Sequence, residues 1–202
     1  MDSINKQQEE DNYKDLHGKA AIKKMKTLVD KVAGDWTTYR STFISNTKSD
    51  VGSPIGNMVN MLAYQMDMLK GPRIGWPFGK QSNGNVFASK SEGYFAGIGS
   101  ELARANIRSL KNAYLGGTGS KGISAYLVSL KKESLNSDVL AQFDVVIAKL
   151  DAIPDPLSAS FINDGVKVED AYKEIQKLLT LLKTDVSSAL GVQISFMDND
   201  GD

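Results

Sequence analysis

Apolar residues recur every three or four positions through most of the chain, a spacing that places them on one face of an α-helix. The pattern predicts helices near residues 20–45, 55–69, 94–115, 123–130, 140–153 and 168–190. The first stripe consists of Ile22, Met25, Val29, Val32, Trp36, Tyr39 and Phe43. Gly191 follows the last stripe at a position where glycine commonly ends a helix. We therefore predict an all-α fold: an antiparallel bundle of five or six helices with short connections.

Residues 71–91 interrupt this pattern as one long Gly/Pro-rich loop. The segment, GPRIGWPFGKQSNGNVFASKS, holds four glycines, two prolines and no acidic residue. A loop of about 20 residues inside a helical bundle is uncommon and is often functional. The loop and its edge also combine basic and aromatic side chains, namely Lys70, Arg73, Lys80, Lys90, Trp76, Phe78 and Phe87. Such rings either anchor a loop to the bundle or contact a ligand, and we favour anchoring.

The amino-acid composition limits the kinds of partner, metal site and catalytic group that this chain can have. The 202 residues include 24 basic and 24 acidic side chains, no cysteine and one histidine. Balanced charge argues against a nucleic-acid partner, because phosphate binding needs a basic excess. The absence of cysteine excludes disulfides, Cys-ligated zinc and thiol catalysis. The histidine, His17, is followed three and four residues later by Ala20 and Ala21, so it lacks the neighbours of a metal site. We interpret it as structural or solvated.

The two ends of the sequence are polar. Residues 1–15 contain no apolar region of a signal peptide, and we expect them to be poorly ordered, with residues 16–202 forming the helical domain. No apolar stretch approaches the length of a membrane span. Acidic residues alternate at positions 198–202, but the spacing of glycine and glutamate in a calcium-binding loop is absent. We expect a solvated acidic terminus.

Three segments resemble the imelysin family. Residues 74–79, IGWPFG, resemble the family segment K-I-G-x-P-x-G, with Arg73 at the position of the lysine. Residues 92–98, EGYFAGI, resemble the helix start that follows it there, and residues 190–202, LGVQISFMDNDGD, resemble the ending of imelysins. Order and spacing agree over about residues 20–202, which corresponds to the carboxyl-terminal part of a full imelysin.

The resemblance implies a helical protein of two bundle-like domains, located in the periplasm or attached to the cell surface as a lipoprotein. It also implies a link to iron acquisition and, for some members, a metallopeptidase role. The family motif G-x-H-x-x-E is not matched here: Asp15 lies two residues before His17, and Ala20 lies three after it. We therefore assign no catalytic residue to this chain and expect no peptidase activity from it alone.

The favoured hypothesis is a binding module: the carboxyl-terminal domain of an exported imelysin-like protein that handles iron, haem or a related small ligand. Its partner would be a missing amino-terminal portion, and iron or another divalent metal would belong to the complete protein. Glu92 is expected to open the third helix and to complement its dipole. The residues assigned to the cleft are Arg73, Gly75, Pro77, Gly79, Glu92 and Tyr94. Two alternatives stay open: part of a metallopeptidase, and a helical interaction or scaffold domain.

Overall fold

The computed structural model describes residues 2–119 and 121–195 of the chain. Helix is the only regular secondary structure among these residues, so the predicted all-α class is confirmed. There are seven helices in the described part of the chain, rather than five or six. The chain divides into two compact units, residues 1–47 and residues 48–202.

The first unit is a single long helix, α1, which spans Asp2–Ser45. The helix continues without a break through residue 15, where the sequence analysis divided a polar N-terminus from the helical domain. The poor order expected for residues 1–15 stays a prediction. The apolar stripe that predicted α1 lies along its surface, and most of its side chains are exposed.

The described residues of the second unit form six α-helices and one 3₁₀ turn, Ala88–Lys90. Helix α2 spans Pro54–Met68 and continues as a π-helical segment, Leu69–Gly75. Helix α3 spans Gly99–Leu115, α4 Ile123–Ser129, α5 Glu133–Asp151 and α6 Leu157–Asn163. Helix α7 begins as Gly165–Thr180, continues as a second π-helical segment, Leu181–Val186, and ends as Ser187–Leu190. Helix α6 is the one that the sequence pattern missed.

Local sequence sets several helix ends. The Ser53 hydroxyl accepts a hydrogen bond from the Gly56 amide at 3.0 Å, and Pro54 occupies the first turn of α2. Both are common helix-start features, because the first amides of a helix lack internal partners. Gly191 has φ 64° and ends α7, as predicted. Gly116, with φ 95°, ends α3 in the same left-handed conformation.

The core of the second unit forms where α5 packs between α3 and α7, with α2 packed on α7. Its largest fully buried side chains include Met66, Leu69, Ile74, Ile107, Tyr114, Phe143 and Ile175. The buried Tyr114 hydroxyl donates to Asn136 Oδ1 at 2.9 Å, so the core contains a satisfied polar pair. Burial raises the pKa of Tyr114 well above its usual value.

Asn60 joins the first helix of this unit to the segment after α7. Its Nδ2 donates to the Gly56 carbonyl and to the Gln193 carbonyl, each at 2.9 Å. Its Oδ1 accepts from the Ser195 amide at 2.7 Å. These bonds hold residues 193–195 against α2, and no strand is assigned to these residues.

No helix in the described ranges is both long and apolar enough to cross a membrane.

Candidate functional site

The predicted loop 71–91 begins as helix. The π-helical segment Leu69–Gly75 carries α2 through Pro72, with Trp76 N donating to the Gly71 carbonyl, five residues back, at 2.8 Å. Proline lacks the amide that an α-helical turn would use, and a wider turn shifts the hydrogen-bond register past it. The expectation of a loop from residue 71 is therefore wrong at its start.

Glycine and proline then set a compact series of turns. The Lys80 amide donates to the Gly75 carbonyl, and the Phe87 amide donates to the Pro77 carbonyl, each at 2.8 Å. Gly79 has φ 95°, and a Cβ there would lie 2.8 Å from the carbonyl carbon of Gly84. Only glycine fits such a left-handed, crowded position without strain. Gly79 thus has a backbone conformation that repeating helices do not use, whereas Gly75 is the last residue of the π-helical segment.

The aromatic rings of this segment divide into two groups. Phe78 packs on Phe161 of α6, with ring centroids 5.8 Å apart, and contacts the core. Trp76 and Phe87 stack on each other at 6.0 Å and remain about 40% exposed. Phe78 therefore anchors the segment, as favoured, whereas the Trp76–Phe87 pair is accessible.

Arg73 and Glu92 lie together. Arg73 Nε is 3.4 Å from Glu92 Oε2, and both side chains are partly exposed. Tyr94 follows in the same turn and packs edge-on against the fully exposed Phe95, with ring centroids 5.2 Å apart. The π-helical segment therefore provides a guanidinium, and the turn after the loop provides the carboxylate that pairs with it and, two residues later, a half-exposed ring. Such a set can hold an anionic group and a hydroxyl of one ligand.

Glu92 does not open helix α3, so that expectation is wrong. Residues 92–97 form turns in which Gly93 and Gly97 have positive φ, and the helix begins at Gly99. The start of α3 is capped instead by Asp155, which accepts from the Ser100 amide at 2.7 Å and from the Glu101 amide at 3.1 Å. Two left-handed glycines interrupt the helical pattern before it reaches this cap.

A polar cleft of about 450 Å³ adjoins Gly75. A Cβ on Gly75 would lie 2.7 Å from Cε2 of Tyr172, so glycine allows this ring to pack against the π-helical segment. The residues around the cleft are Lys70, Tyr172, Gln176, Leu179, Thr180, Lys183 and Thr184. Its two charged residues are both lysines, and Lys70 is buried.

A third lysine lies beside the same tyrosine. Lys80 Nζ is 5.1 Å from the centre of the Tyr172 ring and pairs with Glu169 Oε2 at 2.5 Å. Sequence reasoning named Lys70 and Lys80 but not Tyr172 or Lys183. Tyr172 lies within the apolar stripe that predicts the last helix, and no sequence signal marks the π-helical turn that includes Lys183.

The described residues contain no group of three His, Asp or Glu side chains arranged to hold a metal ion. His17 lies exposed on α1. The acidic positions 198–202, considered for cation binding, lie outside the described residues. Glu92, the carboxylate assigned to the site, has Arg73 as its charge partner. Among the described residues, Glu92 therefore does not belong to such a group.

The fold and the candidate site together define an all-helical bundle protein with a polar surface that contains turns requiring glycine. The family model for imelysin, peptidase family M75, matches residues 3–189. The chain belongs to the imelysin family. Residues 190–202, which resemble the imelysin ending, lie beyond this match. Neither the comparison with curated proteins nor the comparison with solved structures found a match.

Proposed function

We propose that this imelysin-family chain is a binding module of an exported protein, located in the periplasm or at the cell surface, and that it takes part in iron or haem acquisition. The ligand is an anionic iron complex rather than a bare cation. The observation that supports this proposal is the Arg73–Glu92 ion pair, in which Nε and Oε2 lie 3.4 Å apart. The turns next to these two residues contain glycines with positive φ. Family membership supports the extracytoplasmic and iron-related parts of the proposal.

Each assigned residue has a distinct part. Arg73 binds a carboxylate of the ligand, and Glu92 orients Arg73 and accepts a ligand hydroxyl. Gly75, Pro77 and Gly79 set the backbone path, and Tyr94 provides a ring at the edge.

The partner in this proposal is an amino-terminal imelysin portion, which completes the surface that binds the ligand. We therefore expect weak binding by the chain alone and tighter binding when that portion is supplied.

The test is titration with three separate probes: ferric citrate, iron-free citrate and haem, followed by tryptophan fluorescence and, for haem, by its absorbance. Each titration is repeated with the amino-terminal portion added. We expect Arg73→Ala and Glu92→Ala to weaken binding of ferric citrate or haem about tenfold or more, since each removes a charge-assisted contact. Glu101→Ala, which removes an exposed acid nearby on α3, is the matched control.

Two results would refute the proposal. If Arg73→Ala and Glu92→Ala bind like the parent while His17→Ala loses binding, the site lies elsewhere. If iron-free citrate binds as tightly as ferric citrate and haem does not bind, the ligand is a simple organic anion unrelated to iron.

A further inference from the structure

The apolar stripe of α1 has the spacing of a coiled-coil seam. From Ile22 to Phe43 the steps alternate between three and four residues without exception, through Met25, Val29, Val32, Trp36 and Tyr39. This is a heptad repeat in which Ile22, Val29, Trp36 and Phe43 take the a positions and the other three the d positions. The alternation spans three heptads, a length of about 32 Å along the helix.

These side chains are exposed. Ile22, Met25, Val29 and Val32 are each between 64% and 68% exposed, and Trp36 and Tyr39 are 43% and 53% exposed. The Trp36 and Phe43 rings contact each other with centroids 5.3 Å apart, so the carboxyl-terminal third of the stripe is an aromatic cluster. Single apolar residues on a surface need no explanation, but a continuous stripe of this size marks an interaction surface.

We propose that this seam, residues 22–43 of α1, associates with the same seam of a second copy of the chain to form a parallel two-stranded coiled coil. The residue types fit this arrangement. β-Branched residues at a positions favour two parallel strands, and Ile22 and Val29 occupy the first two a positions. Gly18 falls at the preceding d position and gives no side chain, which sets the start of the seam.

The charges beside the seam favour a second copy in parallel orientation. In a parallel pair, each g position faces the e position five residues later in the partner helix. Asp35 at g, which pairs with Lys31 of its own helix at 2.6 Å, therefore also faces Arg40 at e of the partner helix, an attractive contact that occurs twice by symmetry. Leu28 at g faces Ala33 at e, which extends the apolar contact.

An antiparallel pair is disfavoured by the same side chains. It brings e positions against e positions, and within the seam these are Lys26, Ala33 and Arg40. Lys26 would then face Arg40, and this repulsion occurs twice, although the pairing of Lys26 with Asp30 of its own helix at 2.6 Å reduces it. The self-complementary arrangement is the parallel one, as expected for a two-fold symmetric contact.

The first measurement is the mass of the whole chain in solution by light scattering over a concentration series. We expect a species of twice the 21.9 kDa of one chain at the upper concentrations. Val29→Asp should shift the chain to monomer, because it buries a charge in the seam. Thr27→Asp introduces the same charge at an f position, on the opposite face of α1, and should leave the association unchanged.

The second measurement tests directly whether the two α1 helices pair in parallel or antiparallel orientation. The chain has no cysteine, so Ile22→Cys provides a single thiol per chain. In a parallel pair the two thiols lie side by side and should form an intermolecular disulfide under mild oxidation. In an antiparallel pair they would be about 30 Å apart. Thr27→Cys is the control that should not cross-link.

Three outcomes would overturn the proposal. A monomer at every concentration excludes the second copy. Tighter association of Arg40→Asp than of the parent indicates an antiparallel pair, because the new acid would then face lysine. Binding of the monomeric chain to anionic phosphatidylserine vesicles, lost in Val29→Asp but kept in Thr27→Asp, assigns the stripe to a membrane surface instead.

Discussion

Helices α1 and α7 carry apolar stripes of similar length, and their side chains lie in opposite environments. In α7, Val168, Ile175, Leu178, Leu182 and Val186 are fully buried or nearly so. In α1, almost every member of the stripe is exposed. Periodicity predicted both helices, but it did not predict which of the two stripes is buried in the core.

Adjacent apolar pairs occur in both stripes. The stripe of α7 includes Ala171–Tyr172 and Leu178–Leu179, and on α1 Leu28 lies beside Val29 and Ala33 beside Val32. The spacing of apolar residues therefore does not by itself separate a stripe that is buried in the bundle from one that is exposed.

The largest expected effect lies on α7. Leu179→Ala removes a buried side chain from the core, and we expect a loss of about 2–5 kcal/mol in the free energy of unfolding. Ile44→Ala removes an apolar side chain from an exposed position of α1 outside the seam, and should change stability by less than about 0.5 kcal/mol. Urea unfolding measures both, with Lys177→Ala as a control on the exposed face of α7. Similar losses for Leu179→Ala and Lys177→Ala would show that the buried face of α7 has been misassigned.

An intermediate effect is expected at glycines. Gly75→Ala places a Cβ 2.6 Å from the Lys70 carbonyl oxygen and 2.7 Å from the Tyr172 ring. We expect destabilisation of about 1–3 kcal/mol, since a crowded site must shift to accept it. Gly34→Ala in α1 meets no atom within 4 Å and should stabilise the helix by about 0.5–1 kcal/mol. In thermal unfolding, a lower midpoint temperature for Gly75→Ala and a higher one for Gly34→Ala would support the comparison. Shifts of both midpoints in the same direction would contradict it.

The smallest expected effect concerns ion pairs. Hydrogen bonds from Lys177 and then from Gln142 hold the pKa of Glu174, on α7, below its usual value. This contribution is present above the unfolded-state pKa of Glu174, near its usual 4.5, and is lost as the pH falls through the lower folded-state value. Glu174→Gln should therefore remove a fraction of a kcal/mol at neutral pH and less in acid.

The measurement is the difference in unfolding free energy between parent and Glu174→Gln from about pH 6 to pH 3. On α1 the matched variant is Asp30→Asn, which breaks an exposed pair with Lys26; we expect a change of at most about 0.5 kcal/mol. A difference for Glu174→Gln that grows as the pH falls would have the wrong sign for a lowered pKa.

Much of the fold follows from sequence because local rules decide it. Pro54 and Gly191 mark the ends that the structure shows, and the stripe of α7 lies where the helical period places it. Proline misled the prediction at Pro72, where a π-helical turn continues the helix. Helix α6 was missed because seven residues, Leu157–Asn163, are too few for a periodic signal.

The candidate site is less predictable because it depends on contacts between distant residues. The segment holding Arg73 and Glu92 was selected by its composition and its resemblance to imelysins, and the structure brings these two side chains together. Their role in binding stays a prediction. The packing of Tyr172 on Gly75 joins residues almost 100 positions apart. No local pattern in either segment indicates such a contact, so the cleft beside it became visible only in three dimensions.

The hydrogen bonds of Asn60 bring the beginning and the end of the described part of the second unit close together. Its amide contacts Gln193 and Ser195, 133 and 135 residues away, so almost the whole unit lies between the bonded groups. Domains whose ends lie close together tolerate circular permutation. We therefore expect the helices of this unit to keep their arrangement in space when their order along the polypeptide is changed. Opening the chain at the Gly117–Gly119 turn and joining residue 195 to residue 48 by a short linker would retain the same helix contacts.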